Sequence, residues 1–164
     1  MNRIVALLAL SSACASAATT LPATPAPLCT GQEQAYFSCK TANGRWISLC
    51  GTSPQTLHYR FGKPGTIELL YPGPENENRS PFLFAHYKRY QTERREVTFR
   101  NGNTDYAVFD YSEFRKRRAG VRVTTETGRE KEFLCTGKVT SQLQELEGKL
   151  PCDANNALSE GGCR

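Results

Sequence analysis

Pairs of short β-type segments, each joined by a glycine-containing turn, constrain the fold of this chain more than any other feature. In the first pair, Asn43-Gly44 separates the runs FSCKT and RWISLC. Asn-Gly between such runs is the strongest short-range signal for a β-hairpin, because both residues tolerate positive φ. In the second pair, residues 62–65 (GKPG) separate LHYRF from TIELLY. Residues 37–71 therefore predict two successive antiparallel hairpins.

Two further pairs of this kind follow later in the chain. One spans residues 95–112 around the turn Asn101-Gly102-Asn103, and the other spans residues 120–135 around Thr127-Gly128. The segment PFLFAHYKRY at residues 81–90 fits either a strand or a short helix, because its periodicity favours neither. Near the C-terminus, residues 141–147 resemble a capped helix followed by a glycine.

These segments predict an all-β fold of about eight strands in consecutive antiparallel hairpins, forming a small barrel or sandwich with one short C-terminal helix. Residues 72–81 contain three prolines and predict a long exposed loop. The apolar positions expected to supply much of the core are Trp46, Ile47, Leu49, Ile67, Leu69, Val97, Phe99, Val108, Val121, Val123 and Phe133.

The first residues of the chain have the composition of an export signal. A basic Arg3, a short apolar run and the small residues ASA predict a signal peptide over residues 1–17. Residues 18–28 are rich in Thr, Ala and Pro and predict a disordered leader. Residues 29–164 are then expected to form a single disulfide-stabilised domain in the periplasm or outside the cell. The composition predicts no transmembrane segment.

Six cysteines follow the predicted signal peptide, and an even number in an exported chain is typical of disulfides. They are Cys29, Cys39, Cys50, Cys135, Cys152 and Cys163. A two-residue turn at Asn43-Gly44 would place Cys39 opposite Ser48, which disfavours a bridge from Cys39 to Cys50. Three bridges are expected, of which one would join a tail cysteine to Cys29 and another would join Cys39 or Cys50 to Cys135.

The sequence offers little for catalysis. His58 and His86 have no metal-ligand spacing around them, and disulfides account for the cysteines better than zinc or a nucleophile does. The carboxylates form no recognisable pair, and the glycine patterns of serine hydrolases and phosphate-binding loops are missing from the sequence. We therefore expect no enzyme activity, metal or cofactor. A small hydrolase is an alternative, which would require a histidine within hydrogen-bond reach of a carboxylate.

Basic residues interleaved with aromatic residues give the one indication of a binding site. The hypothetical site comprises Tyr87, Lys88, Arg89, Tyr90, Arg115, Lys116, Arg117 and Arg118. Cations and aromatic rings suit an anionic partner, such as an envelope polymer or an acidic protein. The alternative explanation is that charged residues keep turns solvated and sheet edges unpaired. The net charge of +5, which falls by one with Arg3, is small for a protein that binds nucleic acid.

Three short motifs resemble a group of small exported bacterial proteins of unassigned function. They are FSC at residues 37–39, SLC at residues 48–50 and LHYRFG at residues 57–62. The succession of signal peptide, hairpins and cysteines is also similar to periplasmic lysozyme inhibitors, a resemblance that implies a small antiparallel barrel inserting a loop into the lysozyme cleft. The chain lacks their Ser-Gly-x-Tyr-type loop. The leading hypothesis is therefore a non-enzymatic exported binding module, with a lysozyme inhibitor as an alternative.

Overall fold

In this computed structural model the described residues are 26–74, 81–159 and 163. The predicted signal peptide, most of the leader and most of the loop at residues 72–81 lie outside them. Among these described segments, no helix is long and apolar enough to span a bilayer.

Within the described part of the chain, nine antiparallel strands form one continuous sheet, which confirms the predicted all-β fold of successive hairpins. The strands are β1 (Gln34–Thr41), β2 (Trp46–Gly51), β3 (His58–Lys63), β4 (Thr66–Tyr71), β5 (Leu83–Arg89), β6 (Thr92–Asn101), β7 (Thr104–Glu113), β8 (Lys116–Thr125) and β9 (Glu130–Ser141). Their order in the sheet is β4-β3-β2-β1-β9-β8-β7-β6-β5, and the sheet curls into a half-barrel.

The number of strands differs from the prediction because the ambiguous segment at residues 81–90 contains a strand. Its seven strand residues pair with β6 through the register Phe84↔Val97 and Arg89↔Thr92. Pairing with β6, the next strand along the chain, decides the conformation that the periodicity of the segment leaves open.

The predicted C-terminal helix at residues 141–147 is only a 3-10 turn over Leu143–Leu146. Ser141 ends β9, and the residue before the turn is Gln142, whose side chain makes no capping hydrogen bond. Leu143 and Leu146 are nevertheless fully buried. Packing of two leucines against the sheet therefore holds a segment that is too short for an α-helix.

The core lies inside the curl, where β3 and β4 face β6 and β7. The ring of Tyr71 stacks on that of Phe99 at 4.6 Å, and Tyr59 lies 5.0 Å from the same ring. Of the predicted core residues, Ile47, Leu49, Val97, Phe99, Val108 and Val121 are buried, whereas Leu69, Val123 and Phe133 are partly buried against them. Trp46 is half-buried. Ile67 is exposed because β4 is an edge strand.

The first hairpin has a three-residue loop rather than the predicted two-residue turn. The amide of Gly44 donates a hydrogen bond to the carbonyl of Thr41, and the amide of Thr41 donates one to the carbonyl of Arg45. Gly44 has a positive φ of 79°. The additional loop residue moves the register by one position. Cys39 therefore lies opposite Ile47, and Ser38 lies opposite Ser48.

Three disulfides join the six cysteines, as is typical of proteins that fold in an oxidising environment. The bridges are Cys29–Cys50, Cys39–Cys135 and Cys152–Cys163. The expected link from the first hairpin to Cys135 is confirmed, and Cys39 is not bonded to Cys50. The expected bridge from the tail to Cys29 is wrong.

Backbone hydrogen bonds explain why the tail needs no bridge to Cys29. The amide of Phe84 on β5 donates to the carbonyl of Pro151, and the amide of Asp153 donates to the carbonyl of Phe84, both at 2.8 Å. These bonds attach the tail to the edge of the sheet at Cys152. Cys152 forms its disulfide with Cys163, 11 residues further along the chain.

Candidate functional site

Two turns lie side by side at one end of the sheet and contain most of the predicted site. The first is Tyr90-Gln91, between β5 and β6, and the second is Phe114-Arg115, between β7 and β8. Because β5 to β8 are consecutive antiparallel neighbours, alternate turns come to the same end. The amide of Phe114 donates a hydrogen bond to the carbonyl of Gln91 at 2.9 Å and joins the turns directly. We name this surface, residues 88–92 and 112–116, the basic turn end.

The backbone of both turns is strained. Gln91, Phe114 and Arg115 have φ of 55°, 45° and 66°, and they are the non-glycine residues with positive φ in the described part of the chain. Such residues normally avoid the left-handed region because Cβ approaches the following carbonyl oxygen. Backbone strain of this kind concentrates at functional sites.

A groove of about 430 Å³ lies between the two turns. Its lining includes the cations Lys88, Arg89 and Arg115, together with Phe114 and the carboxylate of Glu93. Both basic segments therefore contribute to one concave surface, although Tyr90 and Arg115 are 25 residues apart in the sequence.

The predicted cations divide into three groups according to their partners. Arg117 forms two hydrogen bonds of 2.8 Å with Asp110, and Arg118 is ion-paired with Glu132. Lys88 lies 3.6 Å from Glu93, but its side chain remains mostly exposed. By contrast, no carboxylate among the described residues pairs with a third set, which comprises Arg89, Arg115 and Lys116. All three are exposed at the turns.

The carboxylate of Asp110 holds the guanidinium of Arg117 against the sheet, although the side chain of Arg117 remains 46% exposed. Burial alone would raise the pKa of Asp110, but hydrogen bonds from Arg117 and Ser141 and the charges of Arg117 and Arg95 lower it. The pair therefore stays charged and structural. Arg118 also lies over the ring of Phe109, with 5.4 Å from the guanidinium carbon to the ring centre.

The aromatic residues of the predicted site differ in position. Tyr90 is 85% exposed at the tip of its turn, and Phe114, which the sequence analysis did not include, is 64% exposed at the tip of the other. Tyr87 lies on β5, half-buried, with the guanidinium of Arg89 at 5.9 Å from its ring centre. The exposed rings and the unpaired cations thus share one end of the molecule.

His86 lies in a polar cluster that sequence reasoning missed. Its Nδ1 is 2.8 Å from Glu147 and its Nε2 is 3.3 Å from Glu93, which also pairs with Arg95. Glu93 is close because it lies diagonally across from His86 on β6, which the strand register would have revealed. Glu147 is 61 residues away in sequence, and no local pattern connects it with His86.

A second polar network lies on the opposite face of the sheet. Glu96, 1% exposed, accepts hydrogen bonds from Tyr111, Arg122 and Asn156. Burial and the neighbouring Glu96 raise the pKa of Tyr111 to about 12. The network lines a groove of about 620 Å³ beside the tail. Because both oxygens of Glu96 have partners within the protein, its first role is to fasten the tail to β6.

The described residues offer no convincing metal site. Cys29, Glu33 and Cys50 lie together, but the two sulfurs are bonded to each other. Glu33 is held by Arg60 at 2.5 Å. Burial alone would raise the pKa of Glu33, but the hydrogen bonds from Arg60 and Thr30 and the charge of Arg60 together lower it. This carboxylate therefore already has its cationic partner.

No family model, curated protein or solved structure matches this chain. The basic turn end and the His86 cluster are therefore the features of the described residues that bear on function. The resemblance to small exported proteins stays a prediction.

Proposed function

We propose that this protein is a non-enzymatic exported binding module, acting in the periplasm or outside the cell, whose basic turn end binds an anionic partner. The observation that supports it most is the convergence of Arg89 and Arg115 on one groove, with Lys116 directly after Arg115 in the chain. None of these three cations pairs with a carboxylate among the described residues. A cation placed only to keep a turn solvated would need no such convergence.

Charge and shape together favour binding at this end. Cations around a groove attract an anion over a distance, and an Arg fork then bonds its oxygens directly. The flanking pairs Arg94–Glu113 and Arg118–Glu132 are already neutralised, so the positive charge that remains on this part of β6 to β8 lies at the turns. Strain at Phe114 and Arg115 is consistent with side chains kept for a function other than stability.

The test uses soluble polyglutamate as the anionic probe. The triple variant Arg89→Ala, Arg115→Ala, Lys116→Ala is compared with the control Lys63→Ala, Arg129→Ala, Lys138→Ala, which removes the same charge from exposed positions elsewhere. Exposed ion pairs contribute about 0.2–1 kcal/mol each, so we expect the turn-end variant to bind roughly tenfold more weakly at low salt. Equal weakening in both triple variants would show that net charge, and not this surface, is responsible.

We propose a small hydrolase as the second candidate, because His86 lies within hydrogen-bond reach of Glu93 and Glu147. A carboxylate that orients an imidazole is one half of a nucleophilic or general-base site. Chromogenic ester, phosphoester and glycoside substrates test it with the parent protein and His86→Ala. Turnover that disappears in His86→Ala supports the candidate, and turnover that persists, or none in the parent, rejects it.

A further inference from the structure

We infer that the anionic partner of the basic turn end is a lipid surface, onto which the protein docks with Tyr90 and Phe114 inserted between the headgroups. The inference rests on the proposed function and specifies its partner. It follows from the placement of the two aromatic tips in front of the unpaired cations.

The two tip residues are unlike every other apolar side chain on the described surface. Tyr90 and Phe114 are 85% and 64% exposed, whereas no other large hydrophobic residue of the described segments exceeds 44%. Isolated apolar residues on a surface are ordinary, but two at adjacent turn tips form a pair of projections. Aromatic side chains are the residues that anchor proteins at the boundary between headgroups and acyl chains.

The cations lie next to these tips in the chain. Arg89 precedes Tyr90, and Arg115 and Lys116 follow Phe114. When the rings enter the interface, the guanidinium and ammonium groups therefore reach the level of the phosphates. Each cation near an anionic leaflet strengthens binding by about fivefold. Aromatic insertion and electrostatic attraction are the two signals that interfacial proteins combine.

The distribution of charge favours a surface over a soluble polymer. An extended polyanion is bound by a track of cations along a groove. Here the strands that lead away from the turns have neutralised cations, because Arg94, Arg117 and Arg118 are all paired with carboxylates. Along β5 to β8, the cations without a carboxylate partner therefore lie at the turn end, which matches a planar partner that meets the molecule end-on.

The backbone holds both tips in a fixed arrangement. The hydrogen bond from Phe114 to Gln91 joins the two turns, and the left-handed conformations of Gln91, Phe114 and Arg115 set the direction of each tip. Two aromatic rings presented together bind a surface more tightly than one, because the second inserts without a further loss of freedom.

The experiment measures co-sedimentation of the purified protein with vesicles of phosphatidylcholine and of phosphatidylcholine mixed with phosphatidylglycerol. Variants Tyr90→Ser and Phe114→Asn remove one ring each, and Asn tolerates the left-handed backbone. The control Ile67→Ser removes an exposed apolar side chain from the β4 edge. We expect binding only to the anionic vesicles, reduced about fivefold or more by each ring variant and unchanged in the control.

A fluorescent reporter separates insertion from adsorption. In the Tyr90→Trp variant, the fluorescence of Trp46 is first subtracted by using the parent protein. The emission of the introduced tryptophan should then shift to shorter wavelength on anionic vesicles, and lipids brominated in the acyl chain should quench this emission. Ile67→Trp should show neither change. Binding to vesicles without these changes, or binding that the ring variants leave unaltered, would overturn the inference.

Polyglutamate distinguishes the failure of this inference from that of the proposed function. If the parent binds polyglutamate through Arg89, Arg115 and Lys116 but binds anionic vesicles no better than neutral ones, the lipid surface is wrong and the binding module stands. If neither probe binds, both are wrong.

Discussion

Replacing Phe114-Arg115 by Asn-Gly should stabilise the protein and weaken its binding of anions. The two residues, with φ of 45° and 66°, occupy the central positions of a two-residue turn closed by Glu113 and Lys116. Turns with positive φ at both positions strongly favour Asn-Gly. A residue with a Cβ in this region destabilises the folded state by about 1–2 kcal/mol. The added glycine offsets about 0.5–1 kcal/mol of the gain, because it makes the unfolded chain more flexible.

The net expectation is a gain of about 1–2 kcal/mol in the free energy of unfolding. The lost ring contributes little, since Phe114 is mostly exposed. Urea denaturation of the parent and the double variant measures the gain, which should also raise Tm by roughly 4 °C. Polyglutamate affinity should fall at the same time, because Arg115 is lost.

The neighbouring turn supplies a matched control. Gln91→Gly should be neutral or stabilising because Gln91 has a φ of 55°, whereas Tyr90→Gly, at a residue without positive φ, should destabilise by about 0.5–1 kcal/mol. If the Asn-Gly variant is no more stable than the parent, the argument from backbone strain is refuted. If it is more stable but binds polyglutamate equally well, the turn is strained for a reason other than anion binding.

Three further predictions concern the scaffold. Gly120→Ala should destabilise by about 2 kcal/mol or more in urea denaturation, because a Cβ there overlaps the Phe133 carbonyl oxygen, whereas Gly128→Asn, in open space, should change stability little. Glu96→Leu should cost about 3 kcal/mol, because Tyr111 and Asn156 lose their acceptor and Arg122 keeps only Glu130 at 3.9 Å. An unchanged urea midpoint would contradict the role of this network. Since the folded-state pKa of Asp110 is lowered, its contribution is present above the unfolded pKa of about 4 and is lost as the pH falls through the folded value. Asp110→Asn should therefore flatten the acid limb of the stability profile, and an identical acid limb in both proteins would exclude this pair as a cause.

Local signals in the sequence predicted the hairpins because turn residues and alternating segments are neighbours in the chain. They failed where one loop residue decides the register of a hairpin, and where the outcome depends on distant pairing. The register at Asn43-Gly44 changed with one additional loop residue, which moved Cys39 from Ser48 to Ile47. The tail was expected to need a bridge to Cys29, because no sequence pattern shows that Pro151 and Asp153 bond the edge of β5.

The candidate site was predictable in its composition but not in its assembly. Basic and aromatic residues around Tyr90 and Arg115 were visible in the sequence, whereas their meeting depends on the order of four strands and on one hydrogen bond between turns. Partnering of Arg117 with Asp110 also required the cross-strand geometry. The contact of His86 with Glu93 could have been predicted from the register of β5 and β6, whereas its contact with Glu147 could not.

Mapping the bound anion by amide chemical shifts in an NMR titration tests the central claim most directly. With polyglutamate added to the isotopically labelled protein at low salt, the largest shifts should fall in residues 88–92 and 112–116, and they should diminish as salt is raised. Shifts centred on the groove beside Glu96 and Arg122, or spread evenly over the exposed cations such as Arg129 and Lys138, would contradict the assignment of the basic turn end as the binding site.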